Sequence, residues 1–112
     1  MDIENSKAQM RKGVLELCIL AILSKGEKYP SDIIEVMKEA HLLIVEGTLY
    51  PLLTRLKNDG LLTYRWVESN SGPPRKYFTL TDEGKKFLDE MSAAYRELNI
   101  SVDKILNAVT QS

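Results

Sequence analysis

The chain has 112 residues, of which 44% are hydrophobic, enough for one small domain with its own core. Its formal net charge is −1, from 15 Lys and Arg against 16 Asp and Glu, which excludes a strongly basic protein that coats nucleic acid. The charge is unevenly distributed, because residues 46–80 have an excess of Lys and Arg and residues 82–112 an excess of Asp and Glu. A local basic surface can therefore form on a slightly acidic protein.

Cysteine usage and hydropathy narrow the class of protein further. Cys18 is the one cysteine, so an intrachain disulfide is excluded, and its apolar surroundings predict a small buried side chain. The longest apolar run, from Cys18 to Leu23, is far shorter than the roughly 20 residues that span a membrane. The N-terminus lacks the basic and then apolar layout of a secretion signal. We expect a cytoplasmic protein with no membrane contact.

Three helices are predicted in the first half of the chain. Apolar residues at helical spacing predict a helix from Ser6 to Ser24 that is apolar on two faces. Ser31 is the expected N-cap of a short helix from Asp32 to Ala40. The third helix should begin between Gly47 and Tyr50, which keeps Pro51 in its first turn, and should end at Asp59-Gly60. Its buried stripe consists of leucines, namely Leu49, Leu52, Leu53 and Leu56.

A β-hairpin and a long helix are predicted in the second half. Strands from Leu61 to Glu68 and from Arg75 to Thr81 surround a turn rich in Gly and Pro. Thr81 is the expected N-cap of a helix that reaches about Val109. This helix has apolar residues in steps of three and four, the pattern of a coiled-coil seam. The predicted dimerisation seam is Leu88, Met91, Tyr95, Leu98, Val102, Ile105 and Val109.

The order of these elements predicts the fold class and a function. Three helices followed by a hairpin indicate a mainly α fold with a small β-hairpin wing, a winged helix-turn-helix at residues 1–81, followed by a long C-terminal dimerisation helix at residues 82–112. In such domains the third helix enters the major groove of double-stranded DNA, and the wing lies along the backbone. The residues predicted to contact DNA are Thr48, Tyr50, Pro51, Thr54, Arg55 and Lys57 on the third helix, and Arg75 and Lys76 on the wing. The alternative for the residues of the third helix is that they are solvated residues of an amphipathic helix.

Three sequence segments resemble the PadR family of transcriptional regulators. They are Glu46-Gly47-Thr48-Leu49-Tyr50-Pro51-Leu52-Leu53-Thr54-Arg55-Leu56-Lys57-Asn58-Asp59-Gly60-Leu61, then Pro74-Arg75-Lys76-Tyr77-Phe78-Thr79-Leu80-Thr81-Asp82-Glu83-Gly84, and Arg11-Lys12-Gly13-Val14-Leu15-Glu16-Leu17 in the first helix. The resemblance covers nearly the whole chain in the right order, and one C-terminal helix is similar to the short subfamily. It adds Arg11 and Lys12 to the expected DNA contacts.

The resemblance implies a homodimer that represses transcription at operator DNA, and in some members a phenolic acid or cationic drug as effector. This sequence differs from the family pattern at two places. Tyr29-Pro30-Ser31 replaces the family's frequent Tyr-Gly-Tyr, and the tryptophan at the dimer centre of drug-binding members is missing. An aromatic effector would bind among Leu15, Cys18, Ile19, Tyr95 and Leu98. The alternative is that these residues close into a dry dimer core.

Catalysis is not expected from this sequence. His41 is the one histidine, so a multi-histidine metal site is excluded, and Cys18 has no evident base to activate it. A Gly-rich phosphate loop is absent, and no cofactor is predicted. The competing function from another class is a winged helix that binds protein rather than specific DNA, because a fold does not by itself determine function.

Overall fold

The computed structural model describes residues 1–111; Ser112, the last residue of the predicted 82–112 segment, lies outside the described residues. The predicted mainly helical fold with a small hairpin and a long C-terminal helix is confirmed. The elements in chain order are α1 (Ile3–Lys12), α2 (Leu15–Leu23), α3 (Pro30–Glu39), α4 (Glu46–Asn58), β1 (Leu62–Val67), β2 (Arg75–Leu80) and α5 (Asp82–Gln111).

The predicted first helix is in fact two helices, and this prediction was wrong. The Val14 N–H donates to the Arg11 carbonyl three residues earlier, and a new ladder starts where the Cys18 N–H donates to the Val14 carbonyl. Gly13 at the break weakens a helix because of its backbone freedom. None of the residues of α1 is buried, so the core does not hold α1 in line with α2.

The starts of α3 and α4 also differ from prediction. Pro30 is the first residue of α3, with Tyr29 rather than Ser31 as N-cap, and the Tyr29 N–H donates to the Asp32 carboxylate at 3.0 Å. α4 begins at Glu46, so Pro51 lies inside the helix and not in its first turn. Its missing N–H leaves a carbonyl one turn earlier without its helical partner, which is tolerable because this side of α4 is exposed to water.

The hairpin follows the predicted strands to within one residue at each end. Its antiparallel register runs from Leu62 opposite Leu80 to Val67 opposite Arg75. The hairpin is also bonded to the segment before α3, because the Lys28 N–H donates to the Phe78 carbonyl at 3.1 Å and the Phe78 N–H donates to the Lys28 carbonyl at 2.9 Å. The wing is therefore attached to the helical part at its base.

The core lies where α2, α3 and α4 meet the base of the hairpin. The buried stripe of α4 is as predicted for Leu49, Leu53 and Leu56, while Leu52 is half-buried. Around it pack the other wholly or nearly wholly buried side chains, which include Ile19, Leu20, Ile33, Met37, Leu62, Phe78 and Leu80. This core fixes the angle at which α4 and the hairpin are presented to solvent.

Thr81 caps α5 as predicted. Its hydroxyl accepts from the Gly84 N–H at 3.0 Å and donates to the Gly60 carbonyl at 2.7 Å, which joins the helix start to the end of α4. With 30 residues, α5 is about 45 Å long at ~1.5 Å per residue. From residue 93 to 110 every described residue is exposed, so this half of α5 projects from the domain. Among residues 1–111, none of the helices combines the length and apolar character that a bilayer span requires.

Candidate nucleic-acid interface

The surface of α4 is divided into three strips by its helical geometry. At 3.6 residues per turn, Pro51, Thr54 and Asn58 lie opposite the buried leucines. Tyr50 and Lys57 lie on the flank next to the hairpin, and Thr48 and Arg55 lie on the other flank. All of these side chains are exposed, so the predicted residues of α4 form a polar surface around the helix.

Two adjoining hollows separate α4 from the hairpin, and together we name them the wing groove. The larger has a volume of about 390 Å³ and is lined by Pro30, Ser31, Glu46, Tyr50, Trp66, Pro74, Arg75 and Lys76. The smaller, of about 150 Å³, is lined by Thr54, Lys57, Asn58, Tyr64, Lys76 and Phe78. The two hollows share Lys76, which therefore lies where they meet, on the hairpin side of the wing groove.

Cations are held along the wing groove by aromatic rings. The Lys76 ammonium lies 4.5 Å from the centre of the Tyr64 ring and 5.4 Å from that of Trp66. The Lys57 ammonium lies 5.9 Å from the Tyr64 ring centre. Each contact of this kind at an exposed site contributes about 0.5–1 kcal/mol, enough to favour one position while leaving the charge accessible.

Arg75 is bonded on the other face of the hairpin. Its guanidinium donates to the Ser31 hydroxyl at 2.8 Å and lies 4.0 Å from the centre of the Tyr29 ring. Tyr29 in turn stacks on Tyr77 with ring centres 4.5 Å apart, and the Arg65 guanidinium lies 5.1 Å from the Tyr77 ring. We name Arg75, Tyr29, Tyr77 and Arg65 the wing ladder.

The wing ladder ends in an ion pair. Arg65 Nε donates to a carboxylate oxygen of Glu27 at 2.9 Å. Since Glu27 and Tyr29 flank the backbone contact at Lys28, side chains and backbone together join the hairpin to the segment before α3.

Arg55 lies outside the wing groove. Its guanidinium is 3.2 Å from the Glu16 carboxylate of α2, and the two line a hollow of about 370 Å³ with Lys12 and the start of α5. Thr48 and Arg11 lie together in another hollow, of about 220 Å³, which Lys12 also lines. The basic residues among the predicted DNA contacts therefore form two groups, one on either side of α4.

The first residue of the predicted dimerisation seam is not exposed in the structure. Leu88 is 9% exposed and belongs to the domain core. Phe87 lies in line with the remaining seam residues, because helical geometry places it three turns before Leu98. The exposed seam consists of Phe87, Met91, Tyr95, Leu98, Val102, Ile105 and Val109, which are 38–68% exposed.

The residues predicted to hold an aromatic effector do not form one surface. Ile19 is wholly buried in the core, so it cannot line a seam between subunits. Cys18 and Leu15 are half-buried on α2, and burial raises the pKa of the Cys18 thiol above its ordinary value. Tyr95 and Leu98 lie on the projecting half of α5. Among the described residues no group of His, Cys, Asp and Glu could hold a metal ion.

Comparison with known proteins identifies the family. The model of the transcriptional regulator PadR-like family matches residues 19–90, which include α3, α4 and the whole hairpin. The chain belongs to this family. PadR-like proteins are transcription regulators and not enzymes, in agreement with the sequence-based prediction.

Solved PadR-like structures resemble the chain over most of its length. A PadR-like transcription factor from Bacteroides fragilis is 61% identical, with a TM-score of 0.77 over 90% of this chain and 98% of that one. A PadR family regulator from Eggerthella lenta is 33% identical, with a TM-score of 0.86 over 93% of this chain and 91% of that one.

A relative of known role is longer than this chain. The negative transcriptional regulator PadR of Bacillus subtilis is 34% identical over 80 residues, which cover 69% of this chain and 44% of that protein. The structure of Bacillus subtilis PadR in complex with operator DNA has a TM-score of 0.65 at 33% identity, over 70% of this chain and 46% of that chain. This chain therefore spans less than half the length of that PadR protein.

Several residues of the interface were not singled out by the sequence. Trp66 lies on the same face of β1 as Leu62 and Tyr64, because side chains alternate along a strand, and it is 60% exposed at the outer end of that face. Tyr29 and Ser31 were considered only as local backbone features, and both contact Arg75. Only the aromatic character of Tyr29, Tyr64, Trp66 and Tyr77 could have signalled these contacts.

Proposed function

We propose that this PadR-family regulator is a sequence-specific DNA-binding repressor that acts as a homodimer. The wing groove is the observation that carries the proposal, because it sets the polar face of α4 beside the hairpin, with Lys57 on the helix side and Arg75 and Lys76 on the hairpin side. The relationship to Bacillus subtilis PadR, a negative regulator whose structure includes operator DNA, supports it. Such a regulator acts where the DNA is, in the cytoplasm.

The predicted contacts are assigned by their place around α4. Tyr50, Pro51 and Thr54 face away from the core and would meet base edges in the major groove. Lys57, Lys76 and the exposed part of Arg75 would bind phosphates on the wing side. Thr48, Arg11, Lys12 and Arg55 would meet the backbone on the far side of α4, where they lie near one another.

The projecting half of α5 supports the homodimer. The exposed seam residues lie along one face, and each would contribute about 1.5–3 kcal/mol if it were fully buried against a partner. A two-fold axis along this seam would pair two reading helices, which must lie about 34–36 Å apart to enter successive major grooves. The symmetric partner is thus a second copy of this chain.

Release by a small aromatic or phenolic effector is the second part of the proposal. Tyr95 is 41% exposed beside Leu98 on the seam, so a flat ring could stack on it between two subunits. Such a guest would change the distance between the reading helices. Without a cavity around Tyr95, the same residues would form a dry contact and the repressor would be constitutive.

The proposal is tested by pull-down of genomic fragments with the purified protein, followed by sequencing and gel shifts of the enriched fragments over a range of salt. We expect enrichment of a sequence with two-fold symmetry and a steep fall in affinity with salt, because phosphate contacts release counterions. Fragments without a common sequence, or binding that is indifferent to salt, would favour the protein-binding module instead.

A further inference from the structure

Trp66 stands apart from the other large side chains of its hairpin face. On that face Leu62 and Phe78 are 2% and 4% exposed, whereas Trp66 is 60% exposed at the open end of the wing groove. Tryptophan side chains are highly buried on average, and when one is exposed its large amphipathic ring is well suited to contact a partner. The indole therefore lies at the wing groove and is not part of the buried core.

The indole is held in position by its neighbours. The Tyr64 ring meets it edge to face, with ring centres 5.9 Å apart at 90°. On the opposite strand Lys76 pairs with Trp66 and places its ammonium 5.4 Å from the ring centre. The flat apolar indole and the lysine ammonium are thus positioned side by side before any ligand binds.

The charged and apolar residues that line the wing groove indicate what kind of ligand it binds. Lys76 and Arg75 line the larger hollow, against one acidic residue, Glu46, so the hollow favours an anion. Tyr50 forms the opposite wall, on the helix predicted to read bases. A DNA backbone strand offers an apolar deoxyribose next to each anionic phosphate, which matches the adjacent indole and ammonium.

We propose that Trp66 is a DNA-contacting residue that packs its indole against a deoxyribose of the strand in the wing groove, while Lys76 binds the neighbouring phosphate. This inference rests on the proposed function, since it requires that the wing meets DNA. Because every nucleotide has the same sugar, the contact strengthens binding to all sequences and does not select among them.

The wild-type protein supplies the first test, because Trp66 is its one tryptophan. We would titrate the full chain with a short duplex from the enriched genomic fragments and with a duplex of random sequence, and follow tryptophan emission. Both titrations should change the emission and saturate with the same affinity as a gel shift. Unchanged emission on duplexes that a gel shift shows to be bound would overturn the contact.

Variants supply the second test. Trp66→Ala should weaken both duplexes by about tenfold, Trp66→Phe by less, and Thr63→Ala, an exposed position on the other face of β1, should have no effect. The salt slope is the decisive readout. Trp66→Ala should leave it unchanged, because the charge of the wing stays the same, whereas a displaced wing would lower it by removing Lys76 and Arg75 as well.

The two hypotheses fail in different ways. If the wild-type chain binds neither duplex, the proposed function is wrong and this inference falls with it. If the wild type binds and Trp66→Ala binds as tightly, only the role of Trp66 is wrong. A lowered salt slope in Trp66→Ala would also reject the contact, because it would show that the indole only supports the wing.

Discussion

The guanidinium of Arg75 lies 4.0 Å from the centre of the Tyr29 ring and donates a hydrogen bond to Ser31, so the first residue of β2 is attached to the start of α3. Lys76, the next residue, points to the other face of the hairpin, where its ammonium lies over the Tyr64 and Trp66 rings. Two adjacent basic residues that look equivalent in sequence thus have different surroundings.

The first prediction separates these two residues by their effect on the free protein. Arg75→Ala should lower the free energy of unfolding of the wing by about 0.5–2 kcal/mol, because it removes a cation–π interaction and a hydrogen bond together. Amide exchange at Lys28 and Phe78 should become faster, as measured by NMR. Lys76→Ala should leave this exchange as in the wild type. Equal exchange in both variants would mean that Arg75 does not hold the wing.

The second prediction concerns specificity at the DNA surface. Lys76→Ala should weaken binding to operator and random duplexes alike and lower the salt slope by about one for each phosphate that the lysine no longer neutralises. Tyr50→Ala should weaken operator binding more than random binding, because it removes a side chain that meets base edges. The ratio of the two affinities, measured at one salt concentration, checks both. Equal weakening on both duplexes for Tyr50→Ala would show that this side chain does not read sequence.

The third prediction concerns the junction between the hairpin and α5. A Cβ at Gly84 would collide with the Leu61 carbonyl and would lie 2.6 Å from Cδ1 of Leu80. Gly84→Ala should therefore cost about 1–3 kcal/mol in thermal or urea unfolding, although alanine favours a helix over glycine. Gly72→Ala is the matched control, because a Cβ there meets no atom within 4 Å. If Gly84→Ala were as stable as the control, the close approach of α5 to Leu61 would be disproved.

The fourth prediction tests the exposed seam of α5. Leu98 is 63% exposed in the single chain, and Leu98→Glu should weaken self-association sharply because it places two carboxylates across the two-fold axis. Asn107→Glu adds the same charge on the opposite face of the helix and should leave association unchanged. Sedimentation at micromolar concentration distinguishes the two. A folded wild-type monomer under these conditions would contradict the dimer.

The fifth prediction concerns the effector. Flat aromatic drugs or phenolic acids should bind saturably in the wild type, release the operator, and bind at least several-fold more weakly to Tyr95→Ala, which lacks the stacking surface. Binding and release are measured by calorimetry and gel shift. Saturable binding that leaves operator affinity unchanged would refute the switch, and the absence of binding would indicate a constitutive repressor.

Several structural features of this protein can be predicted from local sequence patterns alone. The leucine stripe of α4, the cap at Thr81 and the apolar face from Met91 to Val109 depend only on spacing along a helix. The structure places the buried leucines and the cap as the spacing predicts, and it leaves the apolar face of α5 exposed in the single chain. The family resemblance has the same basis, because it follows from contiguous residues around α4 and the hairpin. Periodicity and caps act within a few residues, so they can be read directly from sequence.

The partners of charged and aromatic side chains were decided only by the tertiary structure. Arg75 meets Ser31 across 44 residues of chain and Arg65 meets Glu27 across 38, while Arg55 pairs with Glu16 of a different helix. The assignment of Leu88 to the core and of Phe87 to the seam depends on how α5 packs on α2. The exposure of Trp66 likewise depends on where the core ends beneath the hairpin. Such contacts join distant segments through packing, which no local pattern specifies.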